Sequence, residues 1–188
     1  MRKWIYIFLF LFTVVYSSKA TAQDYLIEDD TGIGAKLGYY KAPDAEEGTM
    51  FLGVQSRTKG TYFGVEFTAE YRGEQSYSTT GGKLKVSQIP VTGSLMVFAP
   101  LADNLSPYGL AGLGAYYTIY DYDGGFIEPG DDAEVKVGYH LGFGADVAFS
   151  KSAALNVDYR YLFLNGSDDL TEKEFSGNVI SAGLTFYF

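Results

Sequence analysis

The chain has 188 residues, 47% of them hydrophobic, with 23 Gly, 17 Tyr, 14 Phe, one His and no Cys. That suits one ordered domain; it excludes disulfides, thiolate nucleophiles, Cys-ligated metal centres and a multi-histidine metal site. The formal charge of −9 repels nucleic acid.

Residues 1–22 read as an export signal rather than as structure. Arg2 and Lys3 form a basic head, Ile5–Tyr16 is an apolar run, and Ala20-Thr21-Ala22 has the small-x-small form of a cleavage site. The run has 12 residues. At 1.5 Å per residue it reaches about 18 Å, short of a roughly 30 Å hydrocarbon core. The predicted mature chain starts at Gln23. Cleavage removes three cations (Arg2, Lys3, Lys19) and no acid, which takes the charge from −9 to −12. Residues 23–31 form a polar, acidic lead-in, and residues 32–188 one domain.

From there the pattern has period 2, which predicts strands. Ile33, Ala35, Leu37 and Tyr39 alternate with Gly34, Lys36, Gly38 and Tyr40. Over 49–57, Met50, Leu52 and Val54 share one parity. Over 62–72, Phe63, Val65, Phe67, Ala69 and Tyr71 alternate with Gly64, Glu66, Thr68, Glu70 and Arg72. Residues 83–98 carry Ile89, Val91, Leu95 and Val97; Pro90 cannot donate to a ladder, so a bulge or bend is expected there. Over 108–121, Ala111, Leu113, Ala115, Tyr117 and Ile119 face one way. Glu134–Phe149 alternates for sixteen residues, three times a usual strand. Residues 155–163 and 178–188 complete eight strands. The expected connections alternate in length. Residues 42–48, 73–82, 122–133 and 164–176 are long and acidic; 58–60 and 150–152 are short; 99–106 is intermediate.

Period 2 does not say which parity faces inward. A soluble eight-stranded cup, such as a secreted lipocalin-like binder, buries the apolar side; a membrane barrel turns it to lipid. The polar parity is rich in Gly and in both signs of charge, as a narrow filled interior requires. The strands exceed the roughly ten tilted residues that span a bilayer. Tyr39, Tyr71, Tyr117, Tyr161 and Phe163 gather at one end, and Phe63, Phe149, Phe186 and Phe188 at the other, like two interfacial girdles. The reading is an all-β, eight-stranded antiparallel up-and-down transmembrane β-barrel.

The last strand, Val179-Ile-Ser-Ala-Gly-Leu-Thr-Phe-Tyr-Phe188, ends on Phe with apolar residues at every second position. In this the chain resembles small Gram-negative outer-membrane barrels of the OmpA/OmpX type and the broader porin-like outer-membrane β-barrel family. Gln88-Ile-Pro-Val-Thr-Gly-Ser-Leu, Ser106-Pro-Tyr-Gly-Leu-Ala-Gly and Leu155-Asn-Val-Asp-Tyr-Arg-Tyr resemble its central hairpin and seventh strand. The resemblance implies an outer-membrane monomer with both termini in the periplasm and four acidic loops outside. It implies reading of Phe186 and Phe188 by the barrel-assembly machinery, and lipopolysaccharide and other outer-membrane lipids as surroundings. A structural or adhesive role follows, with a low-conductance channel as the alternative. No periplasmic extension that could hold peptidoglycan is expected.

The lumen parity carries Lys36, Glu66, Glu70, Arg72, Lys136, His140, Asp146, Asp158 and Arg160. Charges in a low-dielectric interior must pair, so these residues are expected to form a polar network in place of an apolar core. A lipid A hydrolase would need a Ser–His pair on the lipid face. His140 points to the lumen, Leu162 is its expected neighbour, and no Ser alternates beside it. Glu66 and Glu70 share a face, a spacing common in strands. Asp121-Tyr-Asp-Gly-Gly and Glu128-Pro-Gly-Asp-Asp lack calcium-loop spacing and read as solvated loops, with weak cation bridging to lipopolysaccharide phosphates as the sharper possibility. The Asn165-Gly-Ser sequon reads as chance, and no phosphate-cradling motif is present. No catalytic residue or cofactor is expected.

Overall fold

The computed structural model describes residue 27 and residues 30–79, 82–99, 101–123, 132–164 and 175–188. The expected leader with Ala20, Ala22 and Gln23, the acidic stretch 128–131 and the sequon at Asn165 lie outside them.

Alternating runs with long β-branched and aromatic side chains form eight strands. They are β1 (Asp30–Lys41), β2 (Thr49–Lys59), β3 (Phe63–Thr79), β4 (Gly82–Phe98), β5 (Leu105–Asp123), β6 (Asp132–Ser150), β7 (Ala153–Leu164) and β8 (Gly177–Tyr187). Each pairs antiparallel with the next, and β8 returns to β1, closing the barrel. Closure leaves no open sheet edge around the wall. Among the described residues no helix occurs.

The two ends differ. The end that carries Asp30 and Tyr187 has the shorter turns, including 60–62 and 151–152; we call it the turn end. At the opposite, loop end, β3 to β6 run to 17–19 residues while β1, β2, β7 and β8 stop at 11–12. One side of the wall therefore stands taller. This corrects the expected loop over 73–82: those residues are mostly strand, because Gln75–Thr79 pair with Gly82–Val86. The bulge expected at Pro90 also lies elsewhere. The β4–β5 register runs unbroken through Pro90↔Tyr116. The shift falls on β3 between Arg72 and Gln75, with a second between Ala148 and Ser150. The β3 bulge inverts parity, so Gln75 and Tyr77 turn inward after Arg72.

The faces follow the inverted pattern. Phe63 is 73% exposed and Leu95 69%, whereas Lys36 is 1% and Glu66 0% exposed. Apolar side chains coat the outside, and charges fill the centre. Phe149, Phe186 and Phe188 stand exposed near the turn end, and Tyr39, Tyr71 and Tyr117 toward the loop end. Tyr161 and Phe163 are half-buried, because Tyr139 stacks on Phe163 at 4.6 Å between centroids and Phe163 meets Tyr161 edge-on at 4.7 Å.

Candidate functional site

The chemistry of the chain is concentrated in the lumen, where inward positions on successive strands converge. Lys59 Nζ lies 3.5 Å from Asp146, and Arg57 Nη1 2.7 Å from the same carboxylate. Arg57 Nε donates to Glu66 at 2.6 Å. Lys36 joins Glu66 (3.1 Å) to Asp158 (3.5 Å). Arg160 bonds Asp158 at 2.7 Å and reaches Glu66 at 3.4 Å and Glu70 at 3.9 Å. Arg72 ends the chain on Glu70 at 2.9 Å. Five cations and four carboxylates thus link across β1, β2, β3, β6 and β7. Arg57 also donates to the Tyr108 hydroxyl at 3.0 Å, and Ser181 donates to Asp158 at 2.8 Å, so β5 and β8 join too. Each bond here is charge-assisted and shielded from water, and loss of one partner strands a buried charge.

Close backbone approach makes room for these side chains. A Cβ on Gly142 would meet the Tyr159 carbonyl at 2.3 Å and Arg160 Cγ at 3.0 Å. A Cβ on Gly112 would lie 2.6 Å from the His140 ring. Gly on the inward parity is therefore the space in which Arg160 and His140 sit.

Of the nine lumen residues expected from sequence, Lys36, Glu66, Glu70, Arg72, Asp146, Asp158 and Arg160 meet in this one network. Lys136 sits toward the loop end, with Nζ 3.3 Å from Glu134 and 5.1 Å from the centre of the Phe175 ring. His140 takes a different partner: its Nε2 lies 2.8 Å from Ser94 Oγ. The expectation that no Ser stands beside His140 is corrected. Ser94 is on β4 and His140 on β6, and Gly112 of β5 between them carries no side chain to separate them. Both side chains are buried inside the wall. Glu66 and Glu70 share a face as expected and share Arg160, yet each has its own further cation.

Sequence reasoning missed Arg57 and Lys59. Arg57 is 1% exposed and holds Glu66 and Asp146 together. Neutral lumen groups were missed as well. Thr68 and Thr92 share a bond at 2.8 Å, and Gln55 and Asn156 both donate to Thr185 at 2.7 and 3.2 Å.

The lumen is not polar throughout, which corrects a second expectation. At the loop end Tyr40, Phe51, Tyr77, Leu84, Val86, Tyr116, Leu162 and Phe175 form a buried apolar cluster, with Ala42 and Ala45 of the 42–48 connection folded onto it. The Tyr40 hydroxyl donates to the Phe175 carbonyl. Arg72 touches the underside of this cluster, 4.5 Å from the Tyr40 ring centre. At the turn end, Met96, Phe98, Tyr108 and Leu110 pack together, and Ile27 packs with Ala148, Ala154 and Tyr187. Ile27 belongs to the lead-in read as polar, yet is buried. The interior is layered: apolar, ionic, apolar.

The 42–48 connection is fastened to the tall side of the wall. Glu46 N–H donates to the Ser76 carbonyl at 3.0 Å, and Gln75 Nε2 donates to the Glu47 and Tyr40 carbonyls at 3.2 and 3.3 Å. Ser78 donates to the Glu46 carboxylate, and Lys83 lies 3.3 Å from it. The Ser78 hydroxyl and then the Lys83 ammonium hold the Glu46 carboxyl below its usual range.

Residues 8–188 match the family described as outer membrane protein beta-barrel domain. No curated protein matches the sequence. Among solved structures, neisserial surface protein A (NspA) superposes with a TM-score of 0.65 at 15% identity, covering 84% of this chain and 97% of that one. OprG of Pseudomonas aeruginosa gives 0.60 at 18% identity, covering 89% and 99%. Ail, the attachment invasion locus protein of Yersinia pestis, solved with the heparin analogue sucrose octasulfate, gives 0.53 at 14%, covering 85% and 97%. At such identities these likenesses speak for the fold.

Proposed function

Since the chain belongs to the outer membrane protein β-barrel domain family and is an outer-membrane barrel of the NspA, Ail and OprG type, we propose that it serves as a structural and surface-interacting barrel rather than a pore. The observation that carries this reading is the layered lumen. An ion must pass two apolar clusters and a buried, linked charge network, and each is a barrier in a low-dielectric channel. The turn end lies in the periplasm and the loop end faces outward, as short periplasmic turns and longer outer loops require.

The surface role rests on the loop end. Asp44, Glu46, Glu47, Glu74 and Asp121 outnumber Lys41, Lys83 and Lys85 among the described residues there. Such a rim suits adhesion to a basic partner or cation-bridged attachment to lipopolysaccharide phosphates, and disfavours a polysulfated ligand of the kind held by Ail. The fastened 42–48 connection presents these acids on a fixed base. The barrel is monomeric in this reading, and its closing strand with Phe186 and Phe188 addresses it to the assembly machinery.

The reading is non-enzymatic. Ser94 and His140 pair with both side chains buried in the wall, and no carboxylate is bonded to the His140 ring among the described residues. Overexpression should leave lipid A unchanged by mass spectrometry. The role itself is tested by neutralising the rim acids (D44N, E46Q, E47Q, D121N) and scoring cell attachment and detergent resistance. Loss of either with normal barrel assembly supports the proposal; no change in both contradicts it.

A further inference from the structure

The β3 bulge changes which side chains enter the lumen. Up to Arg72 the even-numbered residues of β3 face inward; beyond it Gln75 and Tyr77 do, and Glu74 faces out. An unbroken strand would bury the Glu74 carboxylate and turn the Gln75 amide outward. Gln75 instead meets the 42–48 connection and is 3% exposed. Its Nε2 donates to the Tyr40 carbonyl, just before that connection, at 3.3 Å, and to the Glu47 carbonyl, near its end, at 3.2 Å. Its Oε1 accepts from the Tyr77 hydroxyl at 3.2 Å. A side-chain amide offers two N–H donors and one oxygen, and on Gln75 each is in use.

The connection has an inner and an outer side. Ala42 and Ala45 lie on the apolar cluster, 0% and 6% exposed, while Asp44, Glu46 and Glu47 are exposed. Two methyl groups bury little area, so polar bonds set its place. Glu46 N–H donates to the Ser76 carbonyl at 3.0 Å, and Gly48 N–H to the Tyr39 hydroxyl at 3.1 Å. Ser78 and Lys83 hold the Glu46 carboxylate at the outer edge. The Lys83 and Glu46 side chains are 61% and 37% exposed, however, and a pair in contact with water holds weakly. The Gln75 bonds are sheltered, and a sheltered carbonyl that loses its donor is not repaid by water.

We propose that the 42–48 connection is a lid on the loop-end apolar layer that opens as a local unit, and that Gln75 is the positioning residue that holds it shut. Releasing Gln75 lifts Ala42 and Ala45 from the cluster and admits water to Tyr40, Tyr77 and Val86 while the wall stays paired. The exposed Glu46–Lys83 pair steadies the edge and does not decide the state of the lid. This goes beyond the sealed lumen of the functional reading. The ionic layer beneath stays closed when the lid lifts, so the lid governs access to the apolar layer alone.

The chain has no Cys, so Ala42→Cys places a single thiol on the inner side of the lid. The folded barrel in detergent micelles is treated with a water-soluble maleimide, and the labelling rate is read by mass spectrometry. Ala42→Cys alone should label slowly. Adding Gln75→Glu, the same size without N–H donors, should speed labelling about tenfold or more. Adding Tyr77→Phe, which frees only Gln75 Oε1, should speed it several-fold. Adding Ser78→Ala, which loosens the exposed edge, should change it by less than about threefold. Val86→Cys, in the layer beneath the lid, should follow the same order. Met96→Cys, in the turn-end layer, should stay slow in every background. Heat-modifiable gel migration identifies the folded variants; if Gln75→Glu does not fold, Tyr77→Phe decides. An unchanged rate in the deciding variant would overturn the proposal. So would an equal effect of Ser78→Ala, or faster labelling of Met96→Cys to the same degree, which would mean that the whole barrel had loosened.

Discussion

The middle and the ends of the lumen solve the same problem in opposite ways. Both lie inside the wall and away from water. The middle holds five cations and four carboxylates in one linked set, while the ends hold packed Tyr, Phe and Leu. An ionic layer is specific, because each carboxylate has a geometric partner on another strand. It is also unforgiving, because desolvation leaves no cheap alternative once a partner is lost. An apolar layer is more tolerant and excludes water from the layer beneath it. The arrangement places the sensitive chemistry where the tolerant packing shields it, with Arg72 and Phe98 at the boundaries. Arg72 pairs with Glu70 below and lies against Tyr40 above. Phe98 lies 5.0 Å from Lys59 Nζ and meets Tyr108 edge-on at 5.5 Å.

Substitutions on either side of that boundary sharpen the contrast. Arg57→Ala should be the most damaging: it takes from Glu66 and Asp146 their shortest partner, leaving Lys36 and Arg160 on the one and Lys59 on the other, and stripping a partner from a buried ion pair costs about 4 kcal/mol. Urea unfolding from lipid vesicles, followed by gel migration, measures it. A loss below about 1 kcal/mol would mean that the ionic layer does not act as a unit. Leu162→Ala, in the loop-end cluster, should cost about 3 kcal/mol by leaving a cavity. A loss larger than that of Arg57→Ala would reverse the contrast. Ser94→Ala removes one hydrogen bond to His140 outside the ionic set and should cost about 1 kcal/mol.

The smallest effect is a pH dependence of the fastened connection. Glu46 has its carboxyl depressed by Ser78 and Lys83 from an ordinary value of 4.5. A depressed carboxylate contributes stability above that value, and the contribution is lost as pH falls through the lowered one. Amide exchange at Glu46, whose N–H is held by Ser76, corrected for intrinsic rates, should speed up as pH falls below the ordinary carboxylate range. Glu46→Gln should remove that dependence. An unchanged pH profile in Glu46→Gln would place the effect elsewhere.

The contrast also separates what the sequence could disclose from what it could not. Glu66, Glu70 and Arg72 alternate with Val65, Phe67 and Tyr71, so their inward direction is plain from period 2. Arg57 and Lys59 continue the inward parity of Phe51 and Gln55. Their outward neighbours Ser56 and Thr58 are polar, however, and the alternation loses its contrast there. The apolar ends are harder still. Where Phe51 and Leu162 face inward, both parities are apolar and period 2 carries no direction; Leu84 and Val86 alternate with Lys83, Lys85 and Ser87, a pattern inverted relative to the lipid-facing part of β4. Tyr77 faces inward because of the β3 bulge, which has no local signal strong enough to place it; Pro90, the obvious breaker, keeps its register with β5. The Ser94–His140 pair spans three strands, and only the closed register brings it together.

The central claim is that the two apolar layers and the ionic layer between them close the barrel. Planar-bilayer recording on the wild-type barrel tests it most directly. The account predicts silence, with at most brief sub-conductance flickers at high voltage. A steady open-pore current from the wild type, at a conductance that persists for seconds, would contradict it.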